Sequence, residues 1–114
     1  MLQLGIINFT KGAYITVEGK AEADKFYIIQ QGKVRIRKET EIVAEEGGNL
    51  LGPGDFIGVV SCLSGHSQIE TAIAETNVTI ITVRKDQYPS LIKDNTPVAM
   101  KIILLFSRRM RYLD

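Results

Sequence analysis

Apolar and polar positions alternate in short blocks along the chain up to about residue 84, and the period changes over the last thirty residues. Leu2, Leu4 and Ile6 alternate with polar or small residues, which predicts a first strand within residues 1–9. After the Lys11-Gly12 turn, Ala13, Ile15 and Val17 alternate with Tyr14 and Thr16 and predict a half-buried second strand. Glu18-Gly19-Lys20 is a turn signal, and 21–24 reads as a polar connection. Phe26-Tyr27-Ile28-Ile29 is apolar on both faces. Gln31-Gly32 predicts a two-residue hairpin turn, with Gly32 supplying the positive φ. Val34 and Ile36 then alternate with Lys33, Arg35 and Arg37, an inside–outside strand. Further strands are predicted at 42–44 and as a pair, Ile69–Glu75 and Val78–Val83, turning at Thr76-Asn77. Ile15, Val17, Ile28, Val34, Ile36 and Ile80 are the predicted core.

Between these strands lies the stretch around which the rest is arranged, Leu51 to Ala74. Gly52-Pro53-Gly54-Asp55 is a turn, Phe56 to Val60 is apolar, and Ser64 to Gln68 reads as a polar loop. Gly58 stands where a strand gives way to a helical turn, whose first N–H groups can face an anion. Over the last thirty residues the pattern becomes helical. Asp86 is a candidate cap for a short helix with Pro89 in its first turn, and Asn95-Thr96-Pro97 opens a longer one with Pro97 at its first position. Ala99, Ile103, Phe106, Met110 and Leu113 follow at heptad spacing, while Ile102, Leu104 and Leu105 add apolar surface beside that seam. One such face can lie on the strands. The other is expected to meet a second copy of the chain or another protein.

The pattern predicts one domain over 1–114, an all-β jelly-roll barrel over about 1–84 with a short cassette helix and a C-terminal helical segment over about 85–114. Composition leaves this picture in place and removes several classes. With 45% apolar and 24% charged residues the chain is neither disordered nor membrane-spanning, and its net charge of +1 supplies no field to gather nucleic acid or membrane. One cysteine and no visible signal peptide fit a reducing, cytoplasmic setting.

Candidate chemistry is sparse. His66 has no second ligand to form a metal site and reads as a solvated loop residue. Cys62 reads as a packing residue rather than a redox thiol. Ser61, Ser64 and Ser67 lack a base and read as caps and turns. Arg108, Arg109 and Arg111 complement the C-terminal end of a helix rather than a nucleic acid. No cofactor, metal or catalytic residue is expected, and the chain reads as no enzyme.

The residues do resemble one family. Phe9-x-x-Gly12, Ile15-x-x-Glu18-Gly19, Phe26-Tyr27-Ile28-Ile29-x-x-Gly32-x-Val34, Leu51-x-Pro53-Gly54-Asp55-Phe56-x-Gly58 and Ala74 are similar to the cyclic nucleotide-binding domain, the regulatory jelly roll of bacterial transcription regulators, kinase regulatory subunits and ion channels. The resemblance implies a small-molecule site in a phosphate-binding cassette. There, backbone N–H groups and an arginine hold the cyclic phosphate and a glutamate after the cassette glycine holds the ribose. On these positions the site is Gly58, Val59, Val60, Ser61, Gln68 and Ile69. Val59 stands in the glutamate's place and Gln68 in the arginine's, with Ile69 where small or hydroxyl residues often sit. The expectation is a regulatory module with weak or no affinity for cAMP or cGMP. Other readings are a protein-interaction or dimerisation module, a sensor of a different ligand, or the N-terminal effector part of a longer transcription regulator. Ending at Asp114 without a helix-turn-helix, the chain is expected not to bind nucleic acid by itself.

Overall fold

The structure is a computed structural model that describes residues 4–17, 19, 24–37, 50–65, 70–93, 95–98 and 100–101. Its strands are β1 (Gly5–Phe9), β2 (Tyr14–Thr16), β3 (Lys25–Gln31), β4 (Val34–Arg37), β5 (Leu50–Leu51), β6 (Phe56–Ile57), β7 (Thr71–Ala74) and β8 (Val78–Arg84). A short helix α1 (Val59–Ser64) lies between β6 and β7, and another, α2 (Tyr88–Lys93), follows β8. The strands form two four-stranded antiparallel sheets, ordered β1-β8-β3-β6 and β2-β7-β4-β5. This is the predicted jelly roll. The strand expected at 42–44, the site positions Gln68 and Ile69, His66 and the seam Ala99, Ile103, Phe106, Met110 and Leu113 lie outside the described residues.

Two expected strand pairs are corrected. β3 and β4 belong to different sheets, so Gln31-Gly32 is a corner that crosses the barrel and no hairpin. The same holds for β7 and β8 around Thr76-Asn77. The two corners pack on each other: Lys33 N–H donates to Thr76 Oγ1 at 3.0 Å, and Glu75 N–H donates to the Lys33 carbonyl at 2.9 Å. Gly32 has a φ of 94°, and a Cβ there would come within 2.4 Å of the Asn77 carbonyl oxygen. Positive φ and a touching backbone each select glycine at this corner. Arg35 reaches across to Glu75 with two parallel bonds, Nε to Oε2 at 3.0 Å and a terminal guanidinium N–H to Oε1 at 3.1 Å. That pair holds the Glu75 carboxyl below its usual range.

The apolar faces sort into two clusters. Ile15, Tyr27, Ile29, Val34, Ile57, Ala72, Ala74, Val78 and Ile80 fill the space between the sheets. Phe26, Phe56, Val59, Cys62, Val83 and Leu91 form a second cluster, with Ile28, Tyr88 and Ile92 packed against it. Both faces of β3 are apolar because one meets the barrel interior and the other meets α1 and α2. Ile28 and Ile36 are half-buried at cluster edges.

Val17 departs from its expected place. It is 43% exposed, while its neighbour Thr16 is buried. The pairing of β2 with β7 shifts register between Tyr14 and Thr16, and one slipped residue exchanges the inner and outer faces. Thr16 tolerates burial because its hydroxyl donates to the Glu70 carbonyl at 3.1 Å. On β1, likewise, Ile6 is exposed although the pattern placed it inward, and Phe9 packs on the first cluster instead.

Two caps also move. Asp86 pairs with Arg84 Nε at 3.1 Å, and Gln87 accepts the first helical bond of α2, from Leu91 N–H. The next helix includes 96–98 and 100–101, so its first position is Thr96 and not Pro97. Asn95 closes α2 instead, its side-chain amide donating to the Leu91 carbonyl at 2.9 Å.

Candidate functional site: the cassette between β5 and β7

The cassette begins at a turn that Asp55 holds from inside. Its Oδ2 accepts from Gly52 N–H at 2.8 Å, and its own N–H donates to the Gly52 carbonyl at 3.0 Å. Gly54, at φ 89°, donates to the Ile29 carbonyl at 2.8 Å and so fixes the turn on β3. Lys101 reaches the same turn from the C-terminal helix. Its Nζ donates to the Gly54 carbonyl, lies 3.3 Å from Asp55 Oδ1, and sits 5.1 Å from the centre of the Phe56 ring. Both partners of this ion pair are more than a third exposed, so it orients the helix more than it stabilises the fold.

Gly58 joins β6 to α1, as the pattern predicted. At φ 75° and ψ 12° it turns the chain in a left-handed conformation that a side chain would strain, and its carbonyl accepts from Cys62 N–H at 3.0 Å. Helix α1 carries no acidic residue in its first turn and no side-chain cap. It ends at Gly65, also left-handed, whose N–H donates to the Ser61 carbonyl. Ser64 is the last helical residue, so the loop expected from Ser64 begins one residue later.

Val59 is 3% exposed and packs in the second cluster among Phe56, Cys62 and Val83. Its side chain is thus part of the apolar core beneath α1. Val60 lies in α1, and Ser61 is 1% exposed. Cys62 is fully buried, and burial pushes its thiol up to about 11, with Lys85 pulling partly the other way. A thiol so held is a packing group and a poor nucleophile.

Sequence reasoning passed over Glu70. It is 7% exposed, directly ahead of β7 and next in chain to Thr71, which is also buried. The legible signal was register, because counting back by twos from Ala74 and Ala72 lands on Glu70. Among the described residues no three His, Cys, Asp or Glu side chains gather to hold a metal. No helix among them is long and apolar enough to cross a membrane.

Two four-stranded sheets, a left-handed glycine and a six-residue helix between the turn and the exit strand define a jelly-roll module with a cassette. The profile of the cyclic nucleotide-binding domain matches residues 6–95, and the chain belongs to that family. It is 28% identical over 109 residues to the CRP-like cAMP-activated global transcriptional regulator of Mycobacterium tuberculosis, covering 96% of this chain and 48% of that protein. The crystal structure of Thermus thermophilus catabolite activator protein superposes with a TM-score of 0.75 at 26% identity, covering 97% of this chain and 52% of that one. The regulatory subunit of a cAMP-independent protein kinase A from Trypanosoma brucei shares the fold, with a TM-score of 0.69 at 22% identity over 86% of this chain and 36% of that one. The chain thus spans about half the length of the curated regulator that it matches. These relatives are regulatory proteins.

Proposed function

We propose that this chain is a non-enzymatic regulatory sensor module whose cassette binds cAMP and cGMP weakly or not at all. One observation carries the reading: Val59, in the place of the family's ribose-binding glutamate, is sunk in the apolar cluster at 3% exposure. The sequence supports it further, since Gln68 stands in the arginine's place and no Lys or Arg occurs from Leu51 to Ala74.

A cyclic phosphate entering a concave site loses hydration, and a charge-assisted hydrogen bond from arginine contributes about 1.5–3 kcal/mol against that loss. Losing the carboxylate for the ribose costs a similar amount. Together these come to roughly 3–6 kcal/mol, or about two to four decades in Kd. Calorimetric titration of the protein with cAMP is therefore expected to give a Kd near the millimolar range. Micromolar binding would overturn the reading.

The output of such a module is the C-terminal helix. Val98 packs against the second cluster while Met100 is 53% exposed, so its first turns already have one face on the barrel and an apolar residue away from it. The seam Ala99, Ile103, Phe106, Met110 and Leu113 gives that helix a second copy of the chain as its simplest partner. Ile103→Glu would place a charge in the seam and is expected to dissociate the dimer in sedimentation velocity. A wild-type protein that stays monomeric at all concentrations would refute the pairing.

A further inference from the structure

One ammonium group meets three consecutive residues of the cassette's leading turn. Lys101 Nζ donates to the Gly54 carbonyl, lies 3.3 Å from Asp55 Oδ1 and stands 5.1 Å from the centre of the Phe56 ring. Among the described residues of the C-terminal helix, no other side chain makes a polar contact with the cassette. Val98 adds an apolar contact, against the cluster that holds Phe56 and Val59.

Asp55 divides its carboxylate between two elements. Oδ2 accepts from Gly52 N–H at 2.8 Å and closes the turn, while Oδ1 faces Lys101. Its backbone holds a third, since the Asp55 carbonyl accepts from Ile29 N–H on β3 at 2.9 Å. Phe56 is shared in the same way. Its ring centre lies 6.0 Å from that of Phe26 on β3, it belongs to one cluster with Val59 of α1, and Lys101 stands over its face. Because the three partners of Lys101 are consecutive in the chain, a single movement of the turn removes all three contacts. A movement of the helix withdraws the same ammonium from the turn.

We propose that Lys101 is a latch between the cassette's leading turn and the C-terminal helix. Opening of the turn frees the start of the helix, and release of the helix loosens the turn. The coupling is reciprocal, as any coupling free energy between two sites must be. Its parts suit a switch, because an exposed ion pair and a cation over an aromatic ring are each weak, and they bias the helix without locking it. The proposal rests on the reading of that helix as the output of a sensor module, and it names the contact through which the cassette reaches the output.

The test is amide hydrogen exchange, read by mass spectrometry without ligand, on wild type, Lys101→Met, Lys101→Arg, Asp55→Asn and the double variant Lys101→Met, Asp55→Asn. Methionine keeps an unbranched apolar stem and removes the charge, and asparagine keeps an oxygen for Gly52 N–H. Lys101→Met is expected to raise exchange over residues 52–57 by about three- to tenfold, the scale of a few weak contacts. Asp55→Asn is expected to raise exchange at the start of the C-terminal helix by about threefold or more. Among the described residues, the polar contact of Asp55 with that helix is Lys101 alone. Lys101→Arg is expected to keep both regions at wild-type rates. The double variant is expected to exchange no faster than the faster single variant, since both changes remove one contact. A Lys101→Met effect confined to the helix, or spread equally over β3 and β8, would overturn the latch. So would additive effects in the double variant. Each of those outcomes leaves the proposed function standing, whereas micromolar cAMP binding would overturn that function and leave the exchange result as it is.

Discussion

Val59→Glu is expected to destabilise the fold by about 4 kcal/mol at neutral pH while leaving cAMP affinity unimproved. A glutamate has an ordinary pKa of about 4.3, and entering the cluster of Phe26, Phe56, Cys62, Val83 and Leu91 requires it to be neutral. Protonating it at pH 7 spans roughly 2.7 units at about 1.4 kcal/mol each, which gives about 4 kcal/mol before any strain from the longer side chain. The sign with pH follows from a folded-state pKa raised above the unfolded one. The deficit against wild type is small below about pH 4, where both states are protonated, and grows as pH rises toward the folded-state value. Urea midpoints of the two proteins at pH 4 and pH 7 measure it directly. Equal midpoints at pH 7 would mean that the side chain at 59 reaches the ligand side of the cassette, and the glutamate could then serve a ribose there. A glutamate at this position is therefore expected not to meet a ribose, because position 59 lies in the apolar cluster beneath α1.

Phe26→Ala is expected to cost about 3–5 kcal/mol, the range for emptying a buried aromatic site. Phe26 is fully buried in the second cluster, with its ring centre 6.0 Å from that of Phe56 and tilted by 36°. It sits on β3, which pairs with β8 on one side and with β6 on the other, so neither strand can move to close the cavity. Domains of this size are stable by about 5–15 kcal/mol, and losing this much leaves little margin. Ile6→Ala on β1 is the internal comparison. Ile6 is 63% exposed, so its truncation is expected to change stability by less than about 0.5 kcal/mol. Urea denaturation of both variants, with m-values checked against wild type, tests the pair. A Phe26→Ala loss as small as that at Ile6 would contradict the packing of the second cluster.

The two substitutions mark where sequence reading ends. Strand Val34–Arg37 was legible because Val34 and Ile36 alternate with charges, and Val34 is fully buried in the structure. Gly32 was legible as a positive-φ position and Gly58 as the junction of a strand and a helical turn, and the structure has both. The family, and with it the jelly roll, was legible from the joint spacing of glycines and apolar residues over most of the chain.

Partners and directions were not. A two-residue period tells which face of a strand is buried, but a strand carries the same signal whether it pairs with its neighbour in sequence or crosses to another sheet. The hairpins read at Gln31-Gly32 and Thr76-Asn77 were for that reason corners between sheets. The register shift in β2 reversed Thr16 and Val17 because it depends on pairing with β7, fifty and more residues away. In the same way Val59 and Glu70 carry in their types no sign of where they point. Helix α1 turns the first into the core, and the second is buried just ahead of β7. Local sequence fixes conformation through sterics and periodicity. Which side chain meets which wall is set by long-range contacts that only the folded chain makes.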